Sequence, residues 1–173
     1  MSTAPAGTPA GAPARARARR AWHLYRAWRN LPATALAVGW ARRHGARITV
    51  GEDLLVECAG MPPRTYGRGG TTVGNAWLHG GLGGPRRRRH EARHADQYAL
   101  LGTGPFLALY GLNALLTRND PRLNLFERWA GLADGGYAPG SAPRSPTRST
   151  TRSTTRSTTS SSTGPSRTAP SRT

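Results

Sequence analysis

The chain has 173 residues and a formal net charge of +17, and all 25 of its basic residues are arginine. This length allows one domain of ordinary size. The single cysteine, Cys58, excludes an intramolecular disulfide, and no apolar stretch approaches the roughly 18 residues of a membrane-spanning helix. Arginine without lysine, beside much Ala, Gly and Pro, is typical of a GC-rich coding sequence, which weakens the usual inference from high charge to nucleic-acid binding.

The N-terminal part of the chain contains two segments of different composition. Residues 1–14 are mostly Ala, Pro, Gly, Ser and Thr, which predicts a disordered arm. Residues 15–44 form a basic helical segment that carries Trp22 and Trp28, and Pro32 should break this helix into two pieces. Such a segment could lie on an anionic membrane or on a partner, but we expect it to pack on the domain.

The hydrophobic period changes to that of strands after Arg47. Residues 47–58 contain two short apolar runs on either side of a Gly51-Glu52-Asp53 turn and predict a β-hairpin. Residues 71–78 predict a further strand. These strands should form a small antiparallel sheet.

Three helices are predicted after the strands. The central helix covers residues 85–101 and should stop at Gly102, and two more helices are expected over residues 106–116 and 123–132. Together these elements predict an α+β fold in residues 45–137, with the small antiparallel sheet packed against the central helix and the two further helices.

The C-terminal segment, residues 138–173, consists almost entirely of Ser, Thr, Pro, Arg, Ala and Gly, and includes three copies of Arg-Ser-Thr-Thr. Nothing in it can bury enough apolar area to offset the conformational entropy of ordering. It is therefore expected to be a disordered tail.

The central helix carries the sequence His90-Glu91-Ala92-Arg93-His94. Residues four apart share a helix face, so His90 and His94 can direct two imidazoles at one point, as zinc requires of its first two ligands. Glu91 lies beside that point, where it can take a proton from a metal-activated water. The motif predicts a zinc-dependent hydrolase, with Glu91 as the general base.

The third ligand decides the class of zinc site, because zinc in a hydrolase takes three protein ligands and keeps one position open. The longer motif with a third histidine is absent, since Gln97 and Leu100 stand where its glycine and histidine would be. We favour Glu127, on a later helix that an intervening helix can turn back toward the motif. His79 and Asp134 are the alternatives.

Other residues could support such a site. A ligating histidine normally donates its second ring N–H to a carboxylate or a carbonyl, and a tyrosine hydroxyl could stabilise an oxyanion. A solvated surface, a helix cap or ordinary core packing is the alternative for each candidate. The candidate supporting residues are Asp96, Gln97, Asp134, Tyr98, Tyr110 and Tyr137.

The segment from Thr71 to Tyr137 resembles the zincin metallopeptidases of the Glu-zincin type, in which a later helix adds a glutamate to a His-Glu-x-x-His helix. It is also similar to small bacterial proteins of unassigned function that share a Gly-Asn strand, a His-Glu-x-x-His-x-x-Gln helix, a Gly-Pro-Phe turn and a Phe-Glu-x-x-Ala helix. The resemblance implies the ligands His90, His94 and Glu127, with Glu91 as the general base.

The resemblance also implies that the strand over residues 71–78 borders the cleft, where a peptide substrate could bind as an added strand. Two residues depart from the zincin pattern, whose motif helix is usually flanked by uncharged residues because it is buried. Arg89 precedes the motif and Arg93 lies inside it. Since successive helical residues are rotated by about 100°, Arg93 could point away from the ligand face.

A non-catalytic basic protein is the alternative function. In this interpretation the Arg-rich arms bind nucleic acid or an anionic membrane surface, and the metal site is structural or vestigial. The high charge favours it, whereas the sequence contains no helix-turn-helix, zinc-finger or RNA-binding signature. We expect a cytoplasmic or peripherally membrane-associated protein, with export left open.

Overall fold

The computed structural model describes residues 12–67, 69–81 and 83–137. The predicted disordered tail, residues 138–173, and residues 1–11 of the predicted disordered arm lie outside the described residues.

Within the described residues, helices and strands follow one another in an order that confirms the α+β class. Two helices come first, then four short strands, then three helices. The elements are α1 (Ala12–Arg29), α2 (Leu31–Arg43), β1 (Arg47–Val50), β2 (Val56–Ala59), β3 (Thr71–Val73), β4 (Ala76–His79), α3 (Pro85–Leu101), α4 (Thr103–Leu116) and α5 (Leu125–Ala130).

The N-terminal helical segment belongs to the same folded unit as the strands. Helix α1 begins at Ala12, three residues before the predicted start, and the break before α2 falls at Asn30, two residues ahead of Pro32. Arg26 of α1 is only 2% exposed and donates to the Ala92 carbonyl oxygen of α3 (3.3 Å). The expected packing of this segment on the domain is therefore present.

Local sequence signals set the bounds of α3, which match the predicted ones. Pro85 occupies the first turn, where its missing N–H costs nothing. Gly102 ends the helix with a φ of +83°, a left-handed conformation that glycine adopts without strain. The next helix, α4, starts immediately at Thr103, three residues before the predicted Phe106, and the two helices are bent by 119°.

Helix α5 is shorter than predicted and covers residues 125–130 instead of 123–132. The side chain of Asn124 accepts a hydrogen bond from the backbone N–H of Phe126 (2.9 Å) and caps its first turn. Gly131 follows its last residue with a φ of +93°. These two residues fix the helix at a length of six residues.

The four strands form one sheet in the order β1-β2-β4-β3. The predicted hairpin is present as the antiparallel pair β1–β2, but β2 and β4 are parallel, so the expectation of a wholly antiparallel sheet is wrong at that pair. The predicted single strand over residues 71–78 is instead the antiparallel hairpin β3–β4. The second strand of this hairpin enters beside β2 and leaves β3 at the edge of the sheet.

Gly74 makes the β3–β4 turn with a φ of +61°. A Cβ atom at this position would lie 2.8 Å from the backbone nitrogen of Thr34, so only glycine lets α2 approach so closely. Asn75 completes the turn, where its backbone N–H donates to the Thr34 hydroxyl (2.8 Å). The turn therefore joins the sheet to the N-terminal helices.

The sheet lies between α2 and α3, because successive strand residues point to opposite faces. Ala76 and Leu78 of β4 pack in a cluster with Ala37 and Ala41 of α2. Trp77, which is fully buried on the other face, packs in a second cluster on the α3 side. Helices α4 and α5 pack on α3.

Candidate metal centre

Three buried side chains from two helices converge on one point. His90 Nε2 lies 3.1 Å from His94 Nε2 and 3.2 Å from Glu127 Oε2, and His94 Nε2 lies 3.6 Å from Glu127 Oε1. His90 and His94 come from one face of α3, and Glu127 comes from α5. Among the described residues, these three form the group that could hold a metal ion.

The second ring nitrogen of His90 is bound to the backbone. Its Nδ1 lies 3.1 Å from the carbonyl oxygen of Gly131, just after α5. Because a carbonyl can only accept, Nδ1 carries the proton, and Nε2 presents a lone pair to the centre.

The same tautomer is set for His94 by Gln97. The Gln97 amide nitrogen donates to the carbonyl oxygen of Phe126 (2.9 Å), so its amide oxygen faces His94 Nδ1 at 2.9 Å. Nδ1 must therefore be the donor, so in the neutral ring the Nε2 lone pair of His94 also points to the centre. Of the candidate supporting residues, Gln97 thus contacts a ligand directly.

Two lone pairs 3.1 Å apart repel each other unless a proton or a metal cation lies between them. Two ligands each about 2.0–2.1 Å from a tetrahedral zinc are separated by roughly 3.3 Å. The His90 Nε2–His94 Nε2 and His90 Nε2–Glu127 Oε2 separations, 3.1 and 3.2 Å, lie close to that value, and His94 Nε2 lies 3.6 Å from the other carboxylate oxygen, Oε1. The geometry therefore fits the ligand shell of a small divalent cation.

The two carboxylate oxygens of Glu127 have different surroundings. Oε1 accepts a hydrogen bond from the Tyr110 hydroxyl (2.6 Å), whereas Oε2 is buried and has no hydrogen-bond partner. A buried carboxylate oxygen without a partner is costly, and a cation at the centre would satisfy it. This orphaned oxygen is a second observation, besides the ligand geometry, that fits a metal ion at the cluster.

The electrostatics of the cluster favour a charged carboxylate. Burial alone would raise the pKa of Glu127, but the two neighbouring imidazoles outweigh burial and lower this pKa far below its ordinary value. Burial lowers the pKa of His94, but the Glu127 carboxylate outweighs it and raises this pKa. Glu127 is thus ready to act as an anionic ligand at neutral pH.

Glu91 is buried next to the cluster but is not part of it. Its Oε2 accepts a hydrogen bond from the Thr72 hydroxyl of β3 (2.8 Å), and its Oε1 lies 3.6 Å from Nε of Arg87. These two contacts fix the position of the Glu91 carboxylate beside the cluster.

A cleft of about 360 Å³ opens onto this group of residues. The three converging ligands and Glu91 lie on its wall. The remaining lining side chains are mixed, with the edge strand on one side and α4 on another. They include Thr71, Thr72, Arg87, Tyr98, Phe106, Leu107, Tyr110, Asn124 and Tyr137.

Although Arg89 and Arg93 lie next to and inside the motif, its two histidines are buried. Arg93 points away from the ligands and donates to the Ala130 carbonyl oxygen (2.7 Å) and to Asp134 (3.1 Å), which ties α3 to the end of α5. Arg89 contacts the same Asp134 carboxylate (3.2 Å). His90 and His94 stay 2% and 7% exposed, so the two departures from the zincin pattern are compatible with a buried helix.

The two alternative third ligands are engaged elsewhere. Asp134 binds the two arginines. His79 lies at the end of β4, where its Nε2 is 2.9 Å from Glu57 and its ring stacks on Trp77 with the centroids 4.1 Å apart. The structure brings Glu127 to the histidines and keeps His79 and Asp134 away from them.

Asp96 does not contact the cluster. Its carboxylate accepts hydrogen bonds from Trp22 (3.0 Å) and Arg26 (3.1 Å), so it holds α1 against α3.

Of the three candidate tyrosines, Tyr110 reaches the cluster directly. Tyr98 is buried against Phe106, with the ring centroids 4.3 Å apart, and burial raises its pKa to about 12. Tyr137 lines the cleft with its ring edge-on to His90, and the centroids are 6.1 Å apart.

Three contributors to the site were not found from the sequence. Gly131 acts through its carbonyl oxygen, a group that every residue carries, so no signal marks it. Thr72 lies in a predicted strand, but only the sheet topology places its hydroxyl on Glu91. Arg87 belongs to a run of four arginines, of which the sequence does not single out the one that faces the cleft.

Comparison with known proteins found no matching family model, no matching curated protein and no matching solved structure. The resemblance to the Glu-zincins stays a prediction from the motif. The site is therefore interpreted from its own geometry and chemistry.

Proposed function

We propose that this protein is a zinc-dependent hydrolase that cleaves peptide bonds. The observation that carries the proposal is the convergence of His90, His94 and Glu127 in a cleft that Glu91 also lines. Two imidazoles and one carboxylate form the ligand set of many hydrolytic zinc sites, and they leave a fourth position for water and substrate. A structural zinc site normally takes four protein ligands, and no fourth metal-binding side chain joins this cluster in the described residues.

The chain's own residues account for the remaining steps. Bound zinc would supply a Lewis acid that lowers the pKa of a water and polarises the substrate carbonyl. Glu91 would accept a proton from the attacking water and pass it to the leaving amine. Thr72 and Arg87 position the Glu91 carboxylate, and the hydrogen bond from Tyr110 to Glu127 Oε1 orients the ligand.

The edge strand supports a peptide as the substrate. Within the part of the chain that the structure describes, strand β3 is paired with β4 on one side only, so its other edge can accept an added strand. Thr71 and Thr72 of this strand line the cleft. An extended peptide bound along β3 would pass the cleft beside Glu91.

Metal analysis of the purified full-length chain tests the ligand set. We expect about one zinc per chain, removed by a chelator and restored by added zinc. The proposal would be wrong if the wild-type chain contained no stoichiometric zinc and did not bind added zinc.

Glu91→Gln tests catalysis separately from metal binding. The amide keeps the shape and can still accept from Thr72, but it cannot take a proton. Cleavage of a fluorescence-quenched peptide pool should fall by about 100- to 10,000-fold while the zinc content stays the same. The matched control is Glu52→Gln in the exposed β1–β2 turn, which should leave the rate unchanged. Equal rates for wild type and Glu91→Gln would assign the measured hydrolysis to a contaminant.

A further inference from the structure

Helix α4 exposes a broad face that contains no polar side chain. At about 100° per residue its exposed positions span roughly 200° of the helix. The five leucines on this face are between 46% and 75% exposed, and one residue of α4, Phe106, is fully buried. The members of the apolar face are Leu107, Ala108, Leu109, Gly111, Leu112, Leu115 and Leu116.

This face is too short to cross a bilayer. Fourteen residues of helix extend about 21 Å, against a hydrocarbon core of about 30 Å. Over the described residues, no single helix is long and apolar enough to span a membrane, and α3 and α4, which pass that test only together, are bent by 119°. An apolar helix of this length suits the plane of the membrane interface instead.

The charges next to α4 complement an anionic surface. Arg118 and Arg122 follow the helix directly, and both are exposed. Between residues 103 and 132 the acidic residues are Asp120, which accepts from the backbone N–H of Arg122 (2.9 Å), and the buried Glu127. Leu123 of the same connection (59%) and Leu125, the first residue of α5 (61%), are exposed, so the apolar and basic character continues beyond α4.

We propose that the apolar face of α4, with Arg118 and Arg122 at its end, docks on an anionic lipid bilayer. The leucines would enter the acyl boundary while the arginines reach the phosphates of the head groups. A second copy of the chain is the less suitable occupant. Two copies packed through α4 would bring basic chains of charge +17 together, with Asp120 as the one acidic side chain outside the buried cluster on residues 103–132 to pair the arginines.

The docked surface would lie beside the cleft. Leu107 belongs both to the apolar face and to the lining of the cleft. The proposal nevertheless does not depend on catalysis, because it concerns a surface that contains none of the three ligands. Its test therefore has a readout of its own.

Vesicle sedimentation with the full-length chain tests the proposal. Vesicles of phosphatidylcholine alone are compared with vesicles in which about one third is phosphatidylglycerol. The variant is the pair Leu112→Glu and Leu115→Glu, which are 55% and 75% exposed. The control pair, Leu24→Glu and Leu36→Glu on α1 and α2, changes the charge equally at positions that are 55% and 77% exposed.

We expect wild type to bind the anionic vesicles. The α4 pair should bind them at least about tenfold more weakly, because the apolar surface that two leucines would bury in the bilayer is lost. The control pair should bind like wild type, and circular dichroism should show all three proteins folded. Equal loss in both pairs would mean that arginines elsewhere bind by charge alone, which overturns the proposal. Self-association that the α4 pair abolishes without any change in vesicle binding would also overturn it, in favour of a second copy.

Discussion

Helices α3 and α4 are neighbours in the chain, but the polar helix α3 is the more buried of the two and the apolar helix α4 is the more exposed. Helix α3 is rich in Arg, His, Gln and Glu, yet His90, Glu91, His94 and Gln97 are all buried. Helix α4 contains no charged residue, yet all five of its leucines are exposed. Ordinary hydrophobic patterning would place them the other way round.

The difference shows that the fold buries polar side chains at the site although their desolvation costs free energy. A buried polar group is tolerated when it has a partner, and each buried polar side chain of the α3 site face has one in the described structure. Among the three converging ligands, Glu127 Oε2 lacks a hydrogen-bond partner, which is why a cation is expected there. The leucines of α4 have the opposite requirement, because they need an apolar environment outside the chain. In the proposed docking, the lipid bilayer would provide it.

Glu127→Gln should have the largest effect of the substitutions considered, because it removes the anionic ligand that α5 presents to the two histidines of α3. The amide is neutral and a much poorer zinc ligand, although it can still accept from Tyr110. Zinc affinity, measured by competition with a chromogenic chelator, should fall on the order of 1,000-fold or more. Asp134→Asn is the control, because Asp134 contacts Arg89 and Arg93 and should leave zinc affinity unchanged. The opposite ranking of these two variants would move the third ligand to Asp134.

Gln97→Leu should have an intermediate effect. It leaves His94 Nδ1 and the Phe126 carbonyl oxygen without their partner, so His94 loses its fixed tautomer. Zinc affinity should weaken by about 10- to 100-fold, as is usual when a residue that orients a metal ligand is lost. Asp96→Asn is the control, since Asp96 binds Trp22 and Arg26 on the far side of α3. An unchanged affinity in Gln97→Leu would show that packing alone orients the His94 ring.

Leu115→Gln should have the smallest effect. It replaces an exposed leucine of α4 by glutamine, whereas Gln97→Leu replaces a buried glutamine of α3 by leucine. Leu115 is 75% exposed, so a polar side chain there loses almost no buried area. The free energy of unfolding in denaturant should change by no more than about 0.5 kcal/mol. A loss of several times that value in vesicle-free buffer would contradict the assignment of this face as uncovered in the isolated chain.

Local signals were sufficient to predict that the helices exist, and they set both ends of α3. Pro85 and Gly102 bracket α3 because proline suits the first helical turn and glycine adopts a positive φ without strain. The i, i+4 spacing of His90 and His94 follows from helix geometry alone, so two of the converging ligands could be predicted once the helix was recognised. Gly104-Pro105 correctly predicts the start of a helix, but the predicted first helical residue is Phe106, whereas Pro105 already stands in the first turn of α4.

The strands were harder, because pairing depends on residues far apart in the chain. The alternation over residues 71–78 is the same for one strand and for two strands joined by a tight turn. The structure inserts the turn at Gly74, where α2 approaches the backbone. The parallel pairing of β2 with β4 likewise depends on a long connection whose path no local signal describes.

The sequence by itself determined a helix with two histidines on one face, a glutamate beside them and a fold of the α+β class, since each depends on spacing within one element or on the order of elements. Only the tertiary structure decided that Glu127 meets the histidines while His79 and Asp134 do not, that Arg93 points away from the ligands, and that the leucines of α4 stay exposed. Each of these depends on how elements distant in sequence pack against one another. The free energies that decide such packing are sums over many long-range contacts, and no short stretch of sequence contains them.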